Sequence, residues 1–136
     1  MWNEVKEKLL GILEKNREYK LLTEVYLEEG EIDPAVESMR HVDSLDHIRL
    51  SVAEKAERAH PEVAIEIYSN FVEALIDLGG RENYAAACGY LKRMREIYRR
   101  INQSSKWNAY ITDLRQRTRT KRVLQEELTK AGIGLL

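Results

Sequence analysis

The run PEVAIEIYSNFVEALIDLGG, residues 61–80, limits what this chain can fold into more than any other stretch. Placed on a helical wheel, Val63, Ala64, Ile65, Ile67, Tyr68, Phe71, Val72, Ala74, Leu75, Ile76 and Leu78 leave almost no polar stripe. A helix that is apolar nearly all round is normally buried on most of its circumference. Glu66, Ser69, Asn70, Glu73 and Asp77 interrupt it too often for a bilayer span. Pro61 suits a first helical turn, where its missing N–H is no loss, and Gly79–Gly80 can take the left-handed conformation that stops a helix. The stretch predicts the central helix of an all-α domain.

Composition narrows the rest. The 136 residues are the size of one domain with a real core, so residues 1–136 are expected to form a single helical domain. Two prolines and seven glycines are too few for the many turns of an all-β fold. A single cysteine, Cys88, precludes an internal disulfide and fits a reducing cytoplasm. The start, MWNEVKEKLLGIL, is amphipathic and carries acids, unlike a secretory signal, and no apolar run reaches 18 residues. A cytoplasmic chain without a membrane partner is expected. The net charge of −1 conceals a split. Residues 1–80 hold nine Lys and Arg against eighteen Asp and Glu, a balance of −9, while residues 81–136 hold thirteen against five, a balance of +8. Such asymmetry points to an electrostatic partner, or to a chain complementary to itself.

Helical periodicity sets out the order of elements. Trp2, Val5, Leu9, Ile12 and Leu13 predict a first helix over residues 2–15. Tyr19, Leu21, Leu22, Val25 and Tyr26 carry a second to Gly30, with Asn16 available to cap between them. Asp33 as cap and Pro34 at the first helical position start a third, to about His41. Ser44 is the expected cap of a fourth, through Leu45, Ile48, Val52 and Ala56. After the central helix, Tyr84, Ala87, Cys88, Leu91, Met94, Ile97, Tyr98 and Ile101 form the seam of a sixth over residues 82–101. Ser104 or Ser105 caps a seventh with Trp107, Tyr110, Ile111 and Leu114 inward. An unbroken seventh helix would put Arg117 and Lys121 on the apolar face, so a break is expected at Thr118–Thr120, then a last helix over residues 121–131. These antiparallel pairs, about seven or eight helices, include Tyr19, Leu22, Tyr26, Gly30 and Ala35 at tetratricopeptide spacing, and Trp107, Tyr110 and Leu114 begin the same way. The expected fold is all-α, a tetratricopeptide-like array.

The run 84-YAAACGYLKRMREIYRRINQSSKWNAYITDLRQRTRTKRVLQEELTKAGI-133 resembles the C-terminal helical region of prokaryotic SWIM zinc-finger proteins, through YLKRMREIY, a Trp-x-x-Tyr after a polar turn, and the arginine-rich LRQRTRTKRVLQEEL. The stretch 22-LTEVYLEEGEIDPAVE-37 is similar to the helix pair that precedes it there, so the likeness covers roughly residues 17–133. That family holds zinc by a Cys-x-Cys pair and a later Cys-x-His. With one cysteine, this chain offers no such spacing, and no ligand carries over. The resemblance implies the helical-repeat part of such a protein, as a fragment or a stand-alone relative, with a protein- or nucleic-acid-binding role.

Little in the sequence looks catalytic. His41, Asp43, Asp46 and His47 fall within seven residues and have the donor types for a divalent metal, but Asp43 and Ser44 also serve as caps and Asp46 suits the positive end of a helix. His60 reads as a junction residue before Pro61, and Cys88 as a small apolar group on a seam. No phosphate loop, HExxH or serine elbow is present, so neither an enzyme nor a cofactor nor a small-molecule substrate is expected. The strongest feature is basic. Between Lys92 and Arg122, eleven Lys and Arg face Glu96 and Asp113, a balance of +9. Antiparallel neighbours would merge these into one surface able to attract phosphates or an acidic protein. Tyr90 and Tyr98 are interleaved at positions that suit the seam better than base stacking. The expectation is a non-enzymatic protein–protein interaction scaffold in which Arg93, Arg99, Arg100, Arg115, Arg119 and Arg122 dock an acidic segment of a partner. A homo-oligomer is a second partner class, and a nucleic-acid-binding accessory domain using helices 92–122 is the alternative.

Overall fold

The computed structural model describes all of residues 1–136 as eight α-helices with no strand: α1 (Trp2–Lys15), α2 (Tyr19–Glu28), α3 (Ile32–Met39), α4 (Ile48–Ala56), α5 (Pro61–Leu78), α6 (Arg81–Arg100), α7 (Ser104–Arg117) and α8 (Arg122–Lys130). The all-α array expected from periodicity is what forms. No helix is long and apolar enough to cross a membrane. The chain gathers into two compact units, residues 1–63 and 64–136, and the division falls in the first turn of α5. The charge follows the same division: nine Lys and Arg against fifteen Asp and Glu in the first unit, thirteen against eight in the second.

In the first unit α2 packs against α1, α3 and α4. Its buried face carries Leu22 and, unexpectedly, Thr23, whose hydroxyl donates to the Tyr19 carbonyl at 2.7 Å and shares a 2.7 Å hydrogen bond with Ser38 of α3. A buried hydroxyl without a partner is costly, and this pair satisfies both across the α2–α3 contact. α1 is less covered than its periodicity implied. Only Leu13 is buried, while Trp2, Val5, Leu9 and Ile12 remain open to solvent.

Several starts differ from expectation for local reasons. Helix α3 begins two residues before Pro34, at Ile32, so the proline sits within the first turn, where its missing N–H costs nothing. Asp33 caps nothing and pairs with His60. Helix α4 begins at Ile48 rather than beside Ser44. Asp43 and Asp46 instead accept the N–H groups two residues on, those of Leu45 and Ile48, each at 2.9 Å, which folds residues 43–47 into turns. Leu45 is therefore exposed, not part of a seam. At α7, Ser104 is the first helical residue and Gln103 stands at the cap position.

The second unit buries one side of α5 through Ile67, Tyr68, Phe71, Val72 and Ile76. The other side is not sealed as its composition suggested: Ile65, Ala74 and Leu75 are half-buried and Leu78 is 75% exposed. Gly79 and Gly80, at φ +77° and +93°, end the helix as expected. Helix α6 buries Tyr84, Ala87, Cys88, Leu91, Met94 and Ile97, all of them seam positions, and packs on α7 and α8. Trp107 is fully buried, its ring centroid 6.3 Å from those of Tyr98 and Tyr110. Its Nε1–H donates to the Gly134 carbonyl at 2.9 Å, and Ile133 is buried beside this anchor in sequence.

Candidate interaction surface

The basic stretch lies within the second unit, where its neighbours divide it into used and unused charge. α6 turns its seam inward, so its cations occupy the flanks and the outer face. On one flank Arg93 donates to the Tyr68 hydroxyl at 3.1 Å and lies over that ring, with Cζ 5.9 Å from its centroid. On the other, Arg95 donates to the Gly132 carbonyl at 2.8 Å, fastening the end of α8. Arg115 of α7 does similar work, reaching the Ile133 carbonyl at 2.9 Å and Gln125 at 3.3 Å. Arg117 is clamped between Glu73 at 2.6 Å and Asp113 at 2.7 Å, which pushes its already high pKa further up. Arg81 binds Glu127 at 2.7 Å and Glu126 at 3.2 Å with the same direction of shift. Of the six arginines singled out in the sequence, Arg93 and Arg115 are thus packing and tethering groups.

The remaining four lie at two separate places. Arg99 and Arg100 are exposed at the C-terminal end of α6, where cations favour the helix dipole. Arg99 forks onto Glu96 one turn back, which lowers the pKa of that carboxyl. Arg119 and Arg122 are exposed in the turn between α7 and α8, together with Lys121. Helix α7 separates the two places, and its 14 residues span about 20 Å at 1.5 Å per residue. α7 packs Trp107 against Tyr98 near its start and pairs Arg117 with Glu73 at its end.

The α7–α8 turn is built to hold its shape. Thr118 is buried, and its hydroxyl donates to the Leu114 carbonyl at 2.6 Å. Gln125 reaches back from α8, and its amide donates to the Thr118 carbonyl at 2.9 Å and hydroxyl at 3.0 Å. This locks the break foreseen at Thr118–Thr120 and presents the three cations outward. Arg119 makes only a 3.4 Å contact to the Gln116 carbonyl, and Lys121 and Arg122 form no ion pair. Helix α8 has no acidic residue in its first turn and no side-chain cap, so nothing on that helix end neutralises them. Lys121 is not among the six residues singled out in the sequence, and its exposure places it beside Arg119 and Arg122.

Other candidate groups have structural partners. His41 stacks on Tyr19 with centroids 4.2 Å apart, and Asp46, besides its turn, pairs with Lys20 at 3.4 Å. Together with Asp43 and His47 they do not converge, and no three His, Cys, Asp or Glu side chains meet as a metal site would require. Cys88 is buried, and burial pushes its thiol pKa up, with the Glu127 charge adding to the effect. Tyr90 stacks on Tyr68 at 5.7 Å, as its seam position indicated.

Residues 43–136, which hold α4 to α8, match the family model described as Ku C terminal domain like. This is a different family from the one the residue pattern resembles. A curated relative, the uncharacterized protein YwqB of Bacillus subtilis (strain 168), is 36% identical over 73 residues, 54% of this chain. The chain spans only 14% of that relative's length. No solved structure gives a significant match. With more than half of its length within the family model, the chain belongs to the Ku C terminal domain like family.

Proposed function

We propose that this chain is a non-enzymatic protein-interaction module whose α7–α8 turn docks an acidic segment of a partner protein. The observation that carries the reading is Arg119, Lys121 and Arg122, three exposed cations on a turn fixed by Thr118 and Gln125, free of ion pairs. The turn's backbone is already held, so binding an acidic strand there orders only the cationic side chains. Membership of a family whose domains mediate protein interactions supports it. The resemblance to the helical region of SWIM zinc-finger proteins, and a curated relative far longer than the match, support a module that works inside larger proteins. Arg99 and Arg100 form a secondary contact for the same kind of segment.

A second reading, a nucleic-acid-binding accessory domain using helices 92–122, is favoured by one observation. The stretch leaves two groups of exposed cations, Arg99 with Arg100 and Arg119 with Lys121 and Arg122, on either side of α7, an arrangement suited to a phosphate backbone. Fluorescence anisotropy of the purified chain with labelled hexaglutamate, single-stranded and double-stranded oligonucleotides separates the two. Hexaglutamate binding that Arg119→Glu and Arg122→Glu sharply weaken supports the first reading. Oligonucleotide binding without hexaglutamate binding overturns it in favour of the second.

A further inference from the structure

The first unit carries a groove of about 330 Å³ across α2, of opposite character to the basic turn and outside the residues that match the family. Tyr19 and Tyr26, two helical turns apart, stand about 10 Å from each other along α2, with Leu22 between them as floor. The ring of Tyr19 is held by its stacking on His41, and Pro34 closes the side towards α3. Glu14 reaches the rim from α1 and Glu37 from α3, the two helices that flank α2. Both carboxylates are exposed, and neither has an ion-pair partner. No Lys or Arg lines the groove. Lys6, whose charge reaches Tyr26, is tied to Glu31. Neither tyrosine hydroxyl has a hydrogen-bond partner within the chain.

Two aromatic walls under two carboxylates describe one ligand chemistry. An alkylammonium or guanidinium group is attracted to a ring face within about 6 Å of its centroid, and both tyrosines line this one groove. The carboxylates then complete the coordination with charge-assisted hydrogen bonds. We infer that this groove binds a basic peptide segment, which inserts a lysine or arginine side chain between Tyr19 and Tyr26 beneath Glu14 and Glu37. The site lies in the other unit from the basic turn, so each stands or falls without the other.

The test uses the full chain, ¹⁵N-labelled, titrated with capped tetra-arginine and tetra-lysine peptides and with tetraglutamate as control. Saturable amide shifts concentrated at residues 14, 19–26 and 34–41 are expected with the basic peptides and not with tetraglutamate. Glu14→Gln and Glu37→Gln are each expected to weaken binding about threefold to fivefold, the order of one exposed ion pair, while Glu24→Gln and Glu28→Gln on α2, outside the groove lining, leave it unchanged. Tyr26→Leu, which keeps apolar volume but removes the ring, is expected to weaken it as well, and the same spectra report whether each variant is folded. Shifts spread over acidic positions generally, or equal weakening by Glu24→Gln, would overturn the site. L-arginine amide binding as tightly as tetra-arginine would overturn the peptide as its ligand.

Discussion

Replacing Trp107 tests the second unit at its most heavily packed point. The indole is fully buried, lies against Tyr98 and Tyr110, and donates a 2.9 Å hydrogen bond to Gly134. Trp107→Ala removes that volume at a cost of about 3–5 kcal/mol. The Gly134 carbonyl loses its donor as well, which adds about 1 kcal/mol. A folded chain holds about 0.05–0.15 kcal/mol per residue, so residues 64–136 have roughly 4–11 kcal/mol to lose. The alanine variant should therefore leave the second unit marginal or unfolded. Trp107→Phe retains most of the ring packing and should cost about 1–2 kcal/mol, chiefly the hydrogen bond and part of the volume. Urea titration followed by circular dichroism at 222 nm measures both. A loss below about 2 kcal/mol for Trp107→Ala would refute the reasoning, because a closed site cannot lose an indole so cheaply.

Other expectations are more local. Cys88 should resist a thiol reagent such as DTNB in the folded chain and react fully in denaturant, since burial and Glu127 disfavour the thiolate. The pKa of Asp46 is lowered by the Ile48 N–H first and by Lys20 next. Its contribution is therefore present above the ordinary carboxyl value and lost as pH falls through the lower folded one, so Asp46→Asn should flatten the acid limb of the stability curve below about pH 4. Thr23→Val and Ser38→Ala should each cost about 1 kcal/mol by removing their shared hydrogen bond, the remaining hydroxyl keeping the carbonyl of Tyr19 or Ala35, and the double variant should cost less than their sum in a double-mutant cycle.

What the sequence disclosed follows from how local each signal is. The limits of α1 and α5 to α8 came through because the apolar seams at three- and four-residue steps were uninterrupted and the breaks at Gly79–Gly80 and Thr118–Thr120 were chemically marked. The conformation just past the end of α1 was less legible. Arg17, not a glycine, takes the left-handed conformation at φ +57°, with its N–H on the Glu14 carbonyl and that of Glu18 on the Leu13 carbonyl. Asn102 does the same at φ +58° after α6. In residues 43–47 two aspartates could cap a helix or close turns, and only the packing of α4 on α2 and α3 decides between them. The basic stretch was visible as charge, but the sorting of it was not. Arg95 and Arg115 look like surface residues until Gly132 and Ile133 fold back within their reach. The groove on α2 was hidden for the same reason: Tyr19, Leu22 and Tyr26 read as packing positions, and Glu14 and Glu37 are 23 residues apart until α1 and α3 flank them.

The most direct test of the interaction reading is the salt dependence of hexaglutamate binding by the wild-type chain and by the Arg119→Glu, Lys121→Glu, Arg122→Glu triple variant. The three side chains are exposed and tie down nothing but one weak contact to Gln116, so the variant should keep the wild-type circular dichroism. Wild-type binding should weaken steadily from low to physiological salt, and the triple variant should bind far more weakly at every salt concentration, keeping at most the contact at Arg99 and Arg100. Undiminished binding by the triple variant would contradict that reading and place the contact elsewhere in the chain.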